Sequence, residues 1–111
     1  MTSWQRFVVQ AGIQTITACV LAFGHTQTGL TALMLVPLMA VTYWLHDTPM
    51  RWLMGLAVVM GLCGELCAVY WGVWAYADYD IWGIPLYIGL AWGLMAVFLA
   101  SLYQSLKDWM T

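Results

Sequence analysis

Glu65 is the single glutamate of the chain, and it sits in an apolar run, GLCGELCAVYWG, from Gly61 to Gly72. No other charged residue occurs between Arg51 and Asp78. A carboxyl group in such a setting supports three kinds of chemistry. It can hydrogen-bond a neighbouring helix, exchange its proton with a carried substrate, or protonate a substrate as a general acid. A charged carboxylate at the centre of a bilayer costs roughly 2.5–3.5 kcal/mol. Glu65 is therefore expected to face other helices rather than lipid, with a polar partner at its own depth.

The spacing of polar and small residues proposes that partner. On the helix that carries Glu65, one face reads Gly61, Glu65, Ala68, Gly72, Tyr76. Gly61, Ala68 and Gly72 are small enough for another backbone to approach closely. Near the N-terminus, Gln10, Gln14 and Thr17 recur at helical spacing and form a second stripe, which Leu21 continues toward His25. Gln14 falls at a depth similar to Glu65, so a Glu65–Gln14 hydrogen bond is expected, with Tyr43, Tyr70 and Tyr87 as further candidates. Glu65, Gln14, Gln10, Thr17 and Tyr76 then make one buried polar cluster. The plainer reading of that cluster is interhelical adhesion, worth roughly 0.6–2 kcal/mol.

Other candidates carry less chemistry. Cys63 and Cys67 are one turn apart, on the face away from Glu65, without further ligands close by, so no metal site is expected. The pair His46–Asp47 reads as a loop cap at the membrane surface. No phosphate loop, nucleophile elbow or zinc-protease motif occurs, and no cofactor is implied.

The elements that position these residues follow from composition. The chain has 111 residues, of which 64% are hydrophobic and 7% charged. An ordinary soluble domain carries about 25% charged residues. Three basic and five acidic side chains cannot coat a water-facing surface, and the formal net charge of −2 gives no reason to expect a nucleic-acid partner. Membrane lipid is the expected surroundings. A bilayer core of about 30 Å needs roughly 20 apolar residues as helix. The chain divides into such segments at about 4–24, 28–45, 49–76 and 83–106, joined by GHTQT, HDTP and ADYDIW. The expected fold is an all-α integral membrane bundle of four transmembrane helices, residues 1–111 forming one domain.

Local signals mark the ends. Thr48–Pro49 reads as an N-cap followed by proline at the first helical position. Asp78 and Asp80 precede the fourth helix, where carboxylates meet the positive end of its dipole. Pro37 falls inside the second helix and is expected to kink it. Arg6, Arg51 and Lys107 all fall on one side of the membrane, and the loops on the other side hold no Lys or Arg. By the positive-inside rule both termini are expected in the cytoplasm. The chain has eight Trp, and interfacial rings agree with this orientation. Trp4, Trp44, Trp52 and Trp109 would form the cytoplasmic belt, and Trp74, Tyr76, Tyr79 and Trp82 the outer one. The first segment is polar for a cleaved signal core, despite the small residues around Ala22-Phe23-Gly24.

The second half carries a further pattern. It reads Glu65, then W-G-V-W-A-Y from Trp71 to Tyr76, then G-I-P-L from Gly83 to Leu86, then Trp92-Gly93. This module resembles one in small bacterial multi-pass membrane proteins without an assigned function, which would put the chain in a bacterial inner membrane. It is distantly similar to the carotenoid-hydratase membrane family. There a helix with a glutamate ends in a Gly/Tyr-rich segment, and Val/Ile-Pro-Leu opens the next helix ahead of a Trp. Such hydratases are about twice as long, and the likeness covers only about Glu65 to Leu106. It implies an isoprenoid or other lipid near Glu65, protonated by the acid, in a slot formed by Trp71, Tyr76, Tyr87 and Trp92.

Three functions compete. An accessory or interaction subunit ranks first, acting as a homo-oligomer or within a larger membrane complex. A small proton-coupled carrier, active as an oligomer, is the alternative. A lipid- or isoprenoid-modifying enzyme is the third, so enzymatic activity is not the leading expectation.

Overall fold

Inside a bilayer a chain has no water to satisfy its backbone, so apolar runs of this length close their hydrogen bonds within helices. The computed structural model describes residues 1–111 and contains α1 (Ser3–Gly24), α2 (Thr28–Leu45), α3 (Thr48–Tyr70) and α4 (Tyr87–Met110). All four are long and apolar enough to cross a membrane. The shortest, α2, has 18 residues and rises about 27 Å. It runs without a break through Pro37.

Two helix starts are closed by side chains. Thr2 Oγ1 accepts from the Gln5 amide at 3.1 Å, and Gln5 Oε1 accepts from the Thr2 amide at 2.8 Å. This reciprocal capping box starts α1. At α3 the cap is Asp47 rather than the expected Thr48, its Oδ1 accepting from the Met50 amide at 3.3 Å. Asp47 caps as well as threonine would, and Pro49 still falls in the first turn, where its missing N–H costs nothing.

The third helix ends six residues before the expected Tyr76, and Gly72 is the cause. Gly72 has φ +70°. Its amide donates to the Val69 carbonyl at 3.1 Å, and the Val73 amide donates to the Ala68 carbonyl at 2.8 Å. That pair of bonds around a left-handed glycine is the Schellman stop. Gly72 therefore terminates the helix and does not belong to a close-packing face.

The fourth helix begins at Tyr87 rather than near Gly83. A tight turn occupies the expected start. Trp82 and Gly83 have φ +52° and +81°, and Ile81 and Ile84 pair across them as an antiparallel bridge. Successive positive φ values are the mark of a type I′ turn. Asp80 braces this segment, its Oδ2 accepting from the Leu86 amide at 2.9 Å and its Oδ1 from the Thr28 hydroxyl at 2.6 Å. The 71–86 connection is thereby tied to the start of α2.

The core centres on α4, which packs on each of the other three helices, while α1 and α2 pack on each other. The only extensive partner of α3 is α4. Gly89 and Gly93 make the α3–α4 contact close. A methyl group added at Gly93 would lie 2.7 Å from Val58 Cγ2, and one added at Gly89 would lie 2.7 Å from Leu62 Cγ. Glycines four apart on one helix allow this approach, which in lipid rests on packing rather than on the hydrophobic effect. Arg6, Arg51 and Lys107 lie at one end of the up-down arrangement, since α1 begins, α2 meets α3, and α4 ends there. The chain is thus a small multi-pass membrane protein.

Candidate functional site

Glu65 lies five residues before the end of α3, about 7 Å inside it. It is nearer the end opposite Arg51 than the middle of the span, because α3 is shorter than the apolar run. The side chain is buried. Three donors converge on it. The Trp92 indole N–H donates to Oε1 at 3.1 Å, and the Trp74 indole N–H donates to Oε2 at 3.0 Å. The Tyr76 hydroxyl donates to Oε2 at 2.6 Å.

Each donor has a structural origin. Stopping α3 at Gly72 turns the following residues back along it, which brings Trp74 and Tyr76 to the level of Glu65. Trp92 comes from α4, and it reaches across because residue 61 is glycine. A Cβ there would collide with the Trp92 side chain. Burial, the hydrogen bond to Glu65 and the charge of Glu65 together raise the Tyr76 pKa well above the usual tyrosine value, so its hydroxyl stays a donor.

Indole can only donate, so both tryptophans require Glu65 as acceptor. The two carboxylate oxygens offer about four lone-pair sites, of which three are taken. The site left over belongs to Oε1. All three donors are neutral, and no Lys, Arg or His reaches the carboxylate. Beside it runs a groove of about 510 Å³ between α3 and α4, walled by Gly61, Gly64, Trp74, Trp92 and Met95 and reaching Leu99. A smaller hollow of about 200 Å³ shares Glu65, Trp92 and Met95 and adds Ile88 and Ala91. Trp74 and Trp92 are each nearly half exposed.

The expected single cluster is therefore two. Tyr76 does join Glu65, but Gln14 does not, because α4 stands between α1 and α3. Gln14 Oε1 is buried without a partner, and Thr17 donates to its own helix at the Ile13 carbonyl, 2.9 Å away. Gln10 belongs to a second cluster near the Arg51 end. Its amide Nε2 donates to Thr42 Oγ1 at 3.4 Å, and its Oε1 lies 3.1 Å from His46 Nε2. The Thr42 hydroxyl in turn donates to the Leu38 carbonyl at 2.8 Å. His46 is buried and is not the surface cap expected of it. Desolvation, then the nearby Arg6, lowers its pKa, with Asp47 opposing, so it is neutral.

Of the expected slot residues, Trp92 lines the groove, Trp71 is exposed and stacks edge-on with Tyr70, and Tyr87 is buried at the start of α4. Gly61 is a close-packing residue, but against Trp92 of its own chain rather than a partner. Trp74 as a Glu65 donor was not foreseen. Its only sequence signal is an N–H nine residues after an unpaired carboxyl. Cys63 and Cys67 are exposed. Comparison with protein families, curated proteins and solved structures finds no match to this chain.

Proposed function

We propose that this protein binds a lipid-soluble cation at Glu65 and acts as a small carrier that exchanges it for a proton. One observation carries the reading: an acceptor-only carboxylate, held by neutral donors alone, forms the floor of an apolar groove. A negative charge at membrane depth calls for a counter-charge. The bundle supplies none, Oε1 keeps a lone pair free, and Glu65 lines the groove. Two half-exposed indole faces flank the opening, where a cation gains from the aromatic quadrupole. An amphiphile whose apolar body fills the groove and whose cationic head meets Oε1 satisfies each feature. A proton on Glu65 would compete with that head, which is the coupling a carrier uses. Four helices do not enclose a pathway, so transport would need a second copy or a partner across the groove. By the positive-inside rule we place the Arg51 end in the cytoplasm and the groove toward the outer face of an inner membrane.

A second reading has its own support. The three donors are all intrachain, so Glu65 also pins the 71–86 connection onto α3 and α4, as in a purely structural accessory subunit. The isoprenoid-enzyme reading would use the same groove, but donors aimed at both oxygens suit a proton acceptor better than a general acid. The test is binding of tetraphenylphosphonium to the purified protein in detergent, read by tryptophan quenching. Saturable binding that weakens as the pH falls, is absent for neutral tetraphenylmethane and is about thirtyfold weaker in Glu65→Gln supports the carrier. Binding that Glu65→Gln leaves intact, or no binding at all, would leave the accessory role.

A further inference from the structure

The geometry points to a binding site for an anionic phospholipid at the opposite end of α3, centred on Arg51. This site does not depend on the role of Glu65. Arg51 is in the first turn or two of α3 and is only partly exposed. Its guanidinium is held in place from two directions. Nε donates to the Tyr43 carbonyl at 2.7 Å, and the group lies 4.3 Å over the centre of the Tyr43 ring. Both contacts fix its position and neither neutralises it. The four N–H groups on its terminal nitrogens have no acceptor in the protein. Asp47, the nearest acidic residue in sequence, is turned to the Met50 amide instead.

The space beside this cation is polar at one end and apolar at the other. A groove of about 480 Å³ runs along α3 from Thr48 and Arg51 past Gly55 and Leu56 to Val59, with Tyr43 of α2 closing its polar end. From Arg51 to Val59 is about 12 Å along the helix axis. Its polar end is therefore at the bundle terminus, and its apolar end points toward the bilayer interior. Gly55 keeps it open, since a Cβ built there meets no atom within 4 Å. A guanidinium presents a planar fork of donors that matches a phosphate. The occupant that meets both ends is a phospholipid with a net negative head, its phosphate on Arg51 and an acyl chain along Gly55 and Val59. Zwitterionic lipids have the same chain but carry a compensating cation on the head. Basic pockets between transmembrane helices at the cytoplasmic side take anionic heads in this way.

The test uses the full chain in mild detergent with equal amounts of phosphatidylglycerol and phosphatidylcholine, counting retained lipid by native mass spectrometry. The wild type should retain phosphatidylglycerol over phosphatidylcholine by about fivefold, the ratio that roughly 1 kcal/mol per surface arginine gives. Arg51→Gln should bring that ratio to about one. Gly55→Leu, which fills the groove and leaves the guanidinium untouched, should lower retention of both lipids. Equal retention by the wild type would overturn the proposal, as would an unchanged preference in Arg51→Gln or full retention in Gly55→Leu. A loss as large in Lys107→Gln would point to general basic attraction and overturn it too. So would displacement of the lipid by inorganic phosphate as readily as by free phosphatidylglycerol. If Arg51→Gln fails to fold by circular dichroism, the Gly55→Leu result decides.

Discussion

At Glu65 three donors converge on one acceptor, whereas at Gln10 donors and acceptors alternate. The Gln10 cluster is closed. The Gln10 amide N–H donates a hydrogen bond to Thr42, the Thr42 hydroxyl donates to the Leu38 carbonyl, and neutral His46 meets the Gln10 amide oxygen. This chain of bonds carries no charge, its Gln10, Thr42 and His46 side chains are buried, and it joins α1 to the end of α2. The Glu65 cluster is open. It concentrates donors on a group that carries charge, leaves a lone pair over, and borders a groove. Buried polar groups in membranes do both jobs, adhesion and function, and a list of polar residues does not separate them. The balance of donors against acceptors does.

The comparison breaks most sharply if the acceptors are replaced one at a time. In Glu65→Gln the new amide oxygen can keep Trp74 and Tyr76, and the amide N–H₂ forfeits Trp92. Cation affinity should fall about thirtyfold, as expected for losing a charged contact of roughly 2 kcal/mol. Thermal unfolding in detergent should shift much less. Gln10→Leu should do the opposite. It strands His46 without its partner, takes one donor from Thr42, and should lower stability by about 1–3 kcal/mol, with cation binding unchanged. Two variants that each lose both properties would mean the clusters are one unit after all.

Acid sharpens the contrast through His46. Its pKa is lowered in the folded protein, so the folded state resists the proton that an unfolded histidine accepts. The stabilising difference is complete above the ordinary histidine value and is lost as the pH falls below about 6.5, by at most about 1.4 kcal/mol per pH unit. Unfolding temperatures measured between neutral and mildly acidic pH should show that slope, and His46→Gln should flatten it. The most local effect is expected at Gly72, where alanine in the left-handed region costs about 1–2 kcal/mol. Gly72→Ala should raise amide exchange in residues 73–76 and weaken cation binding, while the slope due to His46 stays.

Much of this architecture was legible in the residues. Runs of apolar side chains long enough for a bilayer located four helices, and three of their eight ends were displaced by more than two residues at the expectation's own boundaries: the end of α3 at Tyr70, and the start and end of α4 at Tyr87 and Met110. The first two misplacements have one origin. Residues 71–76 and 83–86 carry no charge, so the uncharged runs extend past Gly72 and back to Gly83, where backbone conformation stops the helices. The need of Glu65 for donors was also legible, and Tyr76 was among those expected. Its pairing with Gln14 was not realised, since equal depth in the membrane does not make two helices neighbours.

The sequence by itself determined that this chain lies in lipid, in helices, with one carboxyl group that must find polar company. Those outcomes depend on transfer energies and hydrogen-bond valence, which are properties of the residues. Which groups provide the company was decided by the tertiary structure. Faces turned to lipid and faces turned to a neighbouring helix are equally apolar, so hydropathy does not tell them apart. Close approach does. Gly89 and Gly93 bring α3 onto α4, Gly61 admits Trp92, and Gly72 turns Trp74 and Tyr76 back toward Glu65.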